Sequence, residues 1–183
     1  MAVDFKFKII IIGPAAVGKT SIINRFVHNR FTTKYQFTIG VDFLSKRVSY
    51  DPAAPDSHAS LQIWDIGGQE RFKFLHRNFY QGASGALLIF DLSRESTFTE
   101  MRDWLSEMYE TIHEQIPFVL VGNKADLIPE IGEVIDRKAI DLFIQNEKCY
   151  YVETSAKTGK HVEDAFIELS AQMVKKMRTL KAR

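Results

Sequence analysis

Two periodicities alternate along the chain. Short, β-branched apolar runs recur as FKFKIIII at 5–12, GALLIFDL at 85–92, PFVLVGN at 117–123 and CYYV at 149–152. They are strand-length and too continuous to leave a solvent face. Each is followed by a segment with helical spacing. Phe98, Met101, Trp104, Leu105, Met108 and Ile112 share one stripe, which predicts a single helix; Val162, Phe166, Leu169 and Met173 share another. Strands buried on both sides, with amphipathic helices between them, predict an α/β fold: a mostly parallel sheet with helices on both faces. GVDFLSKRVSY and ASLQIWD break the pattern. The intervening DPAAPDSH has the prolines and aspartates of a turn, so this pair predicts an antiparallel hairpin. The expected sheet has six strands, one of them antiparallel. With no internal repeat, linker or low-complexity tract, residues 1–183 are expected to form one domain.

Composition removes several function classes. Hydrophobic residues make up 45% and charged residues 26%, and the formal net charge of +1 gives no electrostatic basis for binding nucleic acid. The apolar runs are too short to span a bilayer and no signal-peptide pattern opens the chain, so a cytoplasmic, monomeric protein is expected. The lone Cys149 excludes an internal disulfide and is expected to be a buried apolar residue of the last strand. The five histidines lack metal-ligand spacing.

In open parallel sheets ligands bind beyond the carboxyl ends of the strands, and the unusual motifs of this chain fall there. Gly13-Pro14-Ala15-Ala16-Val17-Gly18-Lys19-Thr20 follows the first strand, precedes a helix-like stretch, and has the glycine spacing of a phosphate-binding loop. Backbone N–H groups and the positive end of the helix would face phosphate oxygens; Lys19 would reach the β and γ phosphates, and the Thr20 hydroxyl would hold Mg²⁺. The base is addressed by Asn123-Lys124-Ala125-Asp126 and Ser155-Ala156-Lys157, each at the end of a later strand. Guanine offers adjacent N1–H and N2–H₂ donors that one carboxylate accepts together, whereas adenine would leave Asp126 desolvated and unpaired.

Taken in order, GPAAVGKT, Thr38 in FTIG, Asp65 to Gln69 in DIGGQ, NKAD and SAK resemble the Ras superfamily of small GTPases over nearly the whole chain. IGVDF, LQIWD, GQERF and FYQGA are most similar to the Rab branch. The resemblance implies a P-loop GTPase (G domain) fold, GTP/GDP and Mg²⁺ as ligands, and a switch that hydrolyses GTP and acts in membrane trafficking. Gly13, Ala15, Ala16, Val17, Gly18, Lys19, Thr20 and Ser21 would cradle the phosphates. Phe31 would pack against guanine, and Tyr35 would lie over the phosphates. Thr38 would be the switch I metal ligand and γ-phosphate sensor. Asp65 would hold Mg²⁺ through water, Gly68 would sense the γ-phosphate, and Gln69, with Lys19 and Thr38, would carry catalysis by positioning water and neutralising charge. Asn123, Lys124, Asp126, Ser155, Ala156 and Lys157 would form the base pocket, with the Ala156 N–H on guanine O6. Effectors would dock on the switches and on an aromatic trio, Phe43, Trp64 and Tyr80, and activating and exchange proteins are the other implied partners.

The chain departs from the pattern in places. Alanines stand at Ala15 and Ala16, where Ras proper has glycines, and a methyl at Ala15 beside Gln69 motivates an alternative reading: a guanine-nucleotide-binding interaction module with negligible hydrolysis. Gly67 replaces the alanine usual in Rabs, and together with Ala16 is closer to the Arf branch. No arginine is placed as a finger in cis, so intrinsic turnover is expected to be slow, on the order of 10⁻⁴ s⁻¹. MRTLKAR at the end carries no prenylation cysteine, and Ala2 excludes N-myristoylation. Two explanations stay open: truncation before a lipidated tail, or a divergent relative such as a prokaryotic or archaeal one. Lys175, Lys176, Arg178, Lys181 and Arg183 suit peripheral contact with an anionic membrane, although a solvated helix face is favoured.

Overall fold

Successive side chains of a strand point to opposite faces of its sheet, and the run of four isoleucines uses both. Ile9 and Ile11 enter one core cluster while Ile10 and Ile12 enter the other, all four fully buried. The computed structural model describes residues 5–33, 38, 40–51, 53–54, 56–68 and 73–182. Its strands are β1 (Phe5–Ile12), β2 (Val41–Ser49), β3 (His58–Ile66), β4 (Gly85–Asp91), β5 (Phe118–Asn123) and β6 (Tyr150–Glu153). They form a six-stranded sheet in the order β2-β3-β1-β4-β5-β6, parallel except for the β2–β3 pair. Helices are α1 (Lys19–His28), α2 (Lys73–Tyr80), α3 (Glu95–Thr99), α4 (Met101–Thr111), α5 (Ile128–Ile131), α6 (Arg137–Glu147) and α7 (Val162–Lys181).

Both faces are covered, as expected. Phe26 of α1 and Phe166 of α7 stack at 3.7 Å between centroids over one face, and Trp104 and Met108 of α4 with Ile140 and Phe143 of α6 close the other. Register then sets the site. Ile11 pairs with Asp65 and Asp91 pairs with Asn123, which brings the ends of β1, β3, β4 and β5 to one edge. At the far end of the β2–β3 hairpin, Asp51 Oδ1 accepts the Ala53 N–H at 3.0 Å, the aspartate turn expected of DPAAPDSH.

Two expectations need correction. The stripe from Phe98 to Ile112 is divided between α3 and α4, because Glu100 ends one helix and caps the next. Cys149 precedes β6 rather than lying in it and is only half-buried: the chain leaves α6 through a left-handed Lys148 and pairs first at Tyr150. Among the described residues no helix is long and apolar enough to cross a membrane. The basic residues of α7 are partly tied to the body: Lys176 pairs with Glu114 at 2.6 Å, and the Arg178 guanidinium lies over Phe5 and Tyr50.

Candidate functional site

A cavity of about 430 Å³ opens at the edge where the strands end. Its walls include Ala15, Ala16, Gly18, Lys19, Thr20, Ser21, Phe31, Thr38, Gly68, Asn123, Lys124, Asp126, Ala156 and Lys157. Gly13, Val17 and Ser155 each hydrogen-bond to a residue of this wall: Lys19, Asn123 and Asp126 respectively. A Cβ on Gly13 would lie 2.1 Å from the Ile89 carbonyl oxygen, so only glycine lets the loop leave β1 against β4. Val17 turns its side chain into the core and its carbonyl to Asn123. Two expected contributors, Tyr35 and Gln69, lie outside the described residues. Asn24, Arg30, Thr32, Thr33 and Leu127 also line the cavity, and no motif in the sequence marks them.

The loop from Gly13 to Thr20 has the features of an anion site. Its helix, α1, begins at Gly18, which supplies no side-chain cap, and the first turn holds no acidic residue, so its leading N–H groups remain available. Ala16 takes a left-handed conformation, φ 62°, which costs a residue with a Cβ about 1–2 kcal/mol. Lys19 is buried, and its Nζ donates to the carbonyls of Gly13 at 2.7 Å and Pro14 at 2.8 Å. Burial lowers the Lys19 pKa to about 8 against the opposing pull of Asp65. Polyphosphate is the kind of ligand that would favour its charged form.

Beside Lys19, three oxygens converge. The Thr20 hydroxyl donates to Asp65 Oδ2 at 2.5 Å and lies 2.8 Å from the Thr38 hydroxyl, which is 3.4 Å from the same carboxylate oxygen. Asp65 Oδ1 is buried without a hydrogen-bond partner among the described residues. Burial raises the Asp65 pKa despite the Thr20 bond and the nearby ammonium, so the carboxylate is short of positive charge. Two hydroxyls and a carboxylate gathered at one point are hard oxygen donors, the kind Mg²⁺ takes directly or through water. The residues therefore fit Mg²⁺. Gly68 closes this end: a Cβ there would meet Lys19 Nζ at 2.4 Å and the Gly13 carbonyl oxygen at 2.5 Å.

At the opposite end Asn123 ties the loops together. Its Nδ2 donates to the Val17 carbonyl at 2.8 Å, and its Oδ1 accepts from Thr154 Oγ1 and the Ala156 N–H, both at 3.2 Å. The Ala156 N–H assigned to guanine O6 thus has a partner inside the protein. Asp126 accepts the Ser155 hydroxyl at 2.5 Å on one oxygen and has Lys157 Nζ 3.9 Å from the other. Sequence reasoning missed Asp91. Buried at the end of β4, it receives Lys124 Nζ at 2.7 Å and Arg94 Nε at 3.0 Å, while Arg94 Nη2 donates to the Ala15 carbonyl at 3.0 Å. Burial alone would raise the Asp91 pKa; the hydrogen bonds from Lys124 and Ser93 outweigh it and hold it below the usual range. A charged residue closing the apolar run GALLIFD was the available signal, parallel to Asp65. Arg25 of α1 was also missed; it donates to the carbonyls of Ala156 at 2.9 Å and Lys157 at 2.6 Å.

The aromatic trio needs one substitution. Tyr80 is fully buried, because its position on α2 turns it into the core against His76. Its neighbour Phe79 takes the surface place, partly exposed and 6.2 Å from Trp64 between centroids. Phe43 is 52% exposed and meets Trp64 edge to face at 4.4 Å. Trp64 is half-covered, with Lys8 Nζ 3.5 Å above its ring.

Comparison with known proteins shows the family. The Ras family profile matches residues 8–175. Ras-related protein Rab-27B of Bos taurus is 39% identical over 181 residues, 95% of this chain and 82% of the relative. Ras-related protein RABA1c of Arabidopsis thaliana is 38% identical, covering 93% and 76% respectively. Ras-related protein Rab-11C of Dictyostelium discoideum is 37% identical, covering 91% and 71%. With this match running over residues 8–175, the chain belongs to the Ras family, as a Rab-like small GTPase.

Proposed function

We propose that this chain is a GTP/GDP switch of the Rab type that hydrolyses GTP slowly, recruits effectors in its GTP form and works in membrane trafficking. The observation that carries the reading is the convergence of Thr20, Thr38 and Asp65 beside Lys19 and Gly68, with Asp126 at the other end of the same cavity. One end suits a γ-phosphate and the other a guanine. Thr20, Thr38 and Asp65 would hold Mg²⁺, which supplies charge neutralisation at the β and γ phosphates when bound. Lys19 and the loop amides orient and neutralise the phosphoryl group, and Gln69 orients the attacking water. Thr38 and Gly68 follow the γ-phosphate, so its loss frees the two segments that flank Phe43, Trp64 and Phe79. Effectors that read this surface distinguish the two nucleotide states, with activating and exchange proteins setting the timing.

Ala15 supports the second reading, a nucleotide-dependent interaction module without significant hydrolysis. Its methyl-bearing residue lines the cavity, and its carbonyl is gripped by Arg94 from outside the loop. Single-turnover GTP hydrolysis separates the two. Gln69→Leu is expected to slow the wild-type rate by at least tenfold, whereas equal rates overturn switching by hydrolysis. Competition between GTP and ATP tests the base assignment in the same preparation.

A further inference from the structure

His76 of α2 lies outside the cavity, yet its side chain is only 1% exposed. Its Nε2 is 3.1 Å from the Gly67 carbonyl oxygen and its Nδ1 is 3.0 Å from Glu107 Oε1 on α4. Both facing atoms are acceptors, and a neutral imidazole has a single N–H. Two attractive contacts therefore require two protons shared between the ring and the carboxyl group. The Glu107 side chain is 12% exposed, and its Oε2 is buried without a partner among the described residues, so the contact with the ring is the one that offsets its burial.

Among the described residues the remaining neighbours do not change this count. Tyr80, on the same helix, stacks on His76 at 5.8 Å, and burial followed by the Glu107 charge keeps its phenol protonated. Trp104 of α4 packs on the ring at 5.2 Å, and the next ion pair out, Arg77 with Glu110 at 3.8 Å, is exposed. From the end of β3 the facing group is the Gly67 carbonyl.

Gly67 lies where switch I meets the phosphate-sensing glycine. Its N–H donates to the Gly40 carbonyl at 3.0 Å, a Cβ on it would lie 2.6 Å from the Thr38 carbonyl oxygen, and Gly68 follows it against Lys19. We propose that His76 is a positioning residue for the switch. By bridging Gly67 to Glu107 it fixes the Gly67–Gly68 backbone where switch I and the phosphate loop meet it, and it does so while the pair holds two protons. Loss of one proton sets the Nδ1 lone pair against a carboxylate oxygen and undoes the bridge to α4. The proposal rests on the GTP-switch reading above.

The test measures dissociation of a fluorescent, non-hydrolysable GTP analogue and of fluorescent GDP between pH 5.5 and 8.5. In the wild type the analogue is expected to leave about tenfold faster relative to GDP at the alkaline end, the scale of one charge-assisted hydrogen bond. Glu107→Gln should flatten this profile while keeping slow release, because an amide N–H can donate to neutral Nδ1 while Nε2–H still serves Gly67. His76→Phe keeps the ring packing and should release the analogue quickly at every pH. The γ-phosphate's own titration is shared by all three chains and cancels in the comparison. Coincident profiles for wild type and Glu107→Gln overturn the proposal, and that pair decides the matter if His76→Phe does not fold. If the wild type binds adenine and guanine nucleotides alike, the guanine reading has failed instead. Amide exchange of Gly67 in the same two chains then reads the bridge without nucleotide, a pH-dependent difference supporting it and identical exchange overturning it.

Discussion

Gly67→Ala is the sharpest single test of how the two switch segments fit together. Gly67 is not among the residues with positive φ, so alanine meets no conformational strain there, and the fewer states of its unfolded chain favour folding by about 0.4–1 kcal/mol. The conflict is steric. The new Cβ would lie 2.6 Å from the Thr38 carbonyl oxygen and 3.3 Å from that of Gly40, both backbone atoms. The first of these has to retreat to at least 3.0 Å. Overpacking of this kind costs about 1–3 kcal/mol. The cost falls only on the state in which Thr38 is docked, and it corresponds to a roughly 5- to 150-fold shift between states. The GTP analogue should therefore dissociate faster from Gly67→Ala by a factor in that range, with GDP release and the melting temperature of the GDP form nearly unchanged. The Gly67 amide, bonded to the Gly40 carbonyl at 3.0 Å, should lose exchange protection in step. Equal acceleration of GDP and GTP-analogue release, or no change in either, would refute the idea that the missing side chain sets the approach of switch I.

Other outcomes follow from separate parts of the molecule. Asp126→Asn should weaken GTP by roughly 2–5 kcal/mol and improve xanthosine triphosphate, whose C2 carbonyl accepts from the new amide; unchanged GTP affinity would mean that Asp126 does not read the base. Asp91→Asn removes the charge shared by Lys124 and Arg94, so GDP release should quicken by about one to two orders of magnitude, as measured by displacement of fluorescent GDP. Cys149 has its thiol pKa pushed up to about 11 by burial, from an ordinary 9.0, because the charged thiolate is the disfavoured form. Alkylation by iodoacetamide at pH 8 should run about 100-fold slower than for a free thiol and quicken about tenfold per pH unit as the thiolate fraction rises; a rate near that of free cysteine would contradict the burial argument.

Much of the architecture was legible because it rests on local periodicity. Strands at 5–12 and 85–91 follow directly from runs that have no polar face, and the phosphate loop from glycines whose spacing has one physical use. Breaks in periodicity were harder to see. Nothing in the apolar spacing between Phe98 and Ile112 marks Glu100 as a junction, since that residue takes an ordinary right-handed conformation. Phe79 and Tyr80 are adjacent aromatics on a helix, and only the direction in which α2 presents them separates the surface residue from the buried one. Asp91, Arg25 and His76 act through partners as far as 132 positions away in sequence, as Arg25 does with Lys157, and no short motif encodes such a contact.

The cross-links around Asn123 and Asp91 have a thermodynamic consequence. The loop after β5 and the Gly13–Thr20 loop are stapled to one another through Val17, Ala15 and Ala156, whereas Thr38 and Gly68 line the cavity at its other end, beside Thr20 and Lys19. On the proposed function, which nucleotide is held and how many phosphates it carries are thus questions put to different parts of the chain. A change in the answer to the second leaves the first undisturbed, so such a device can report a spent ligand without letting go of it.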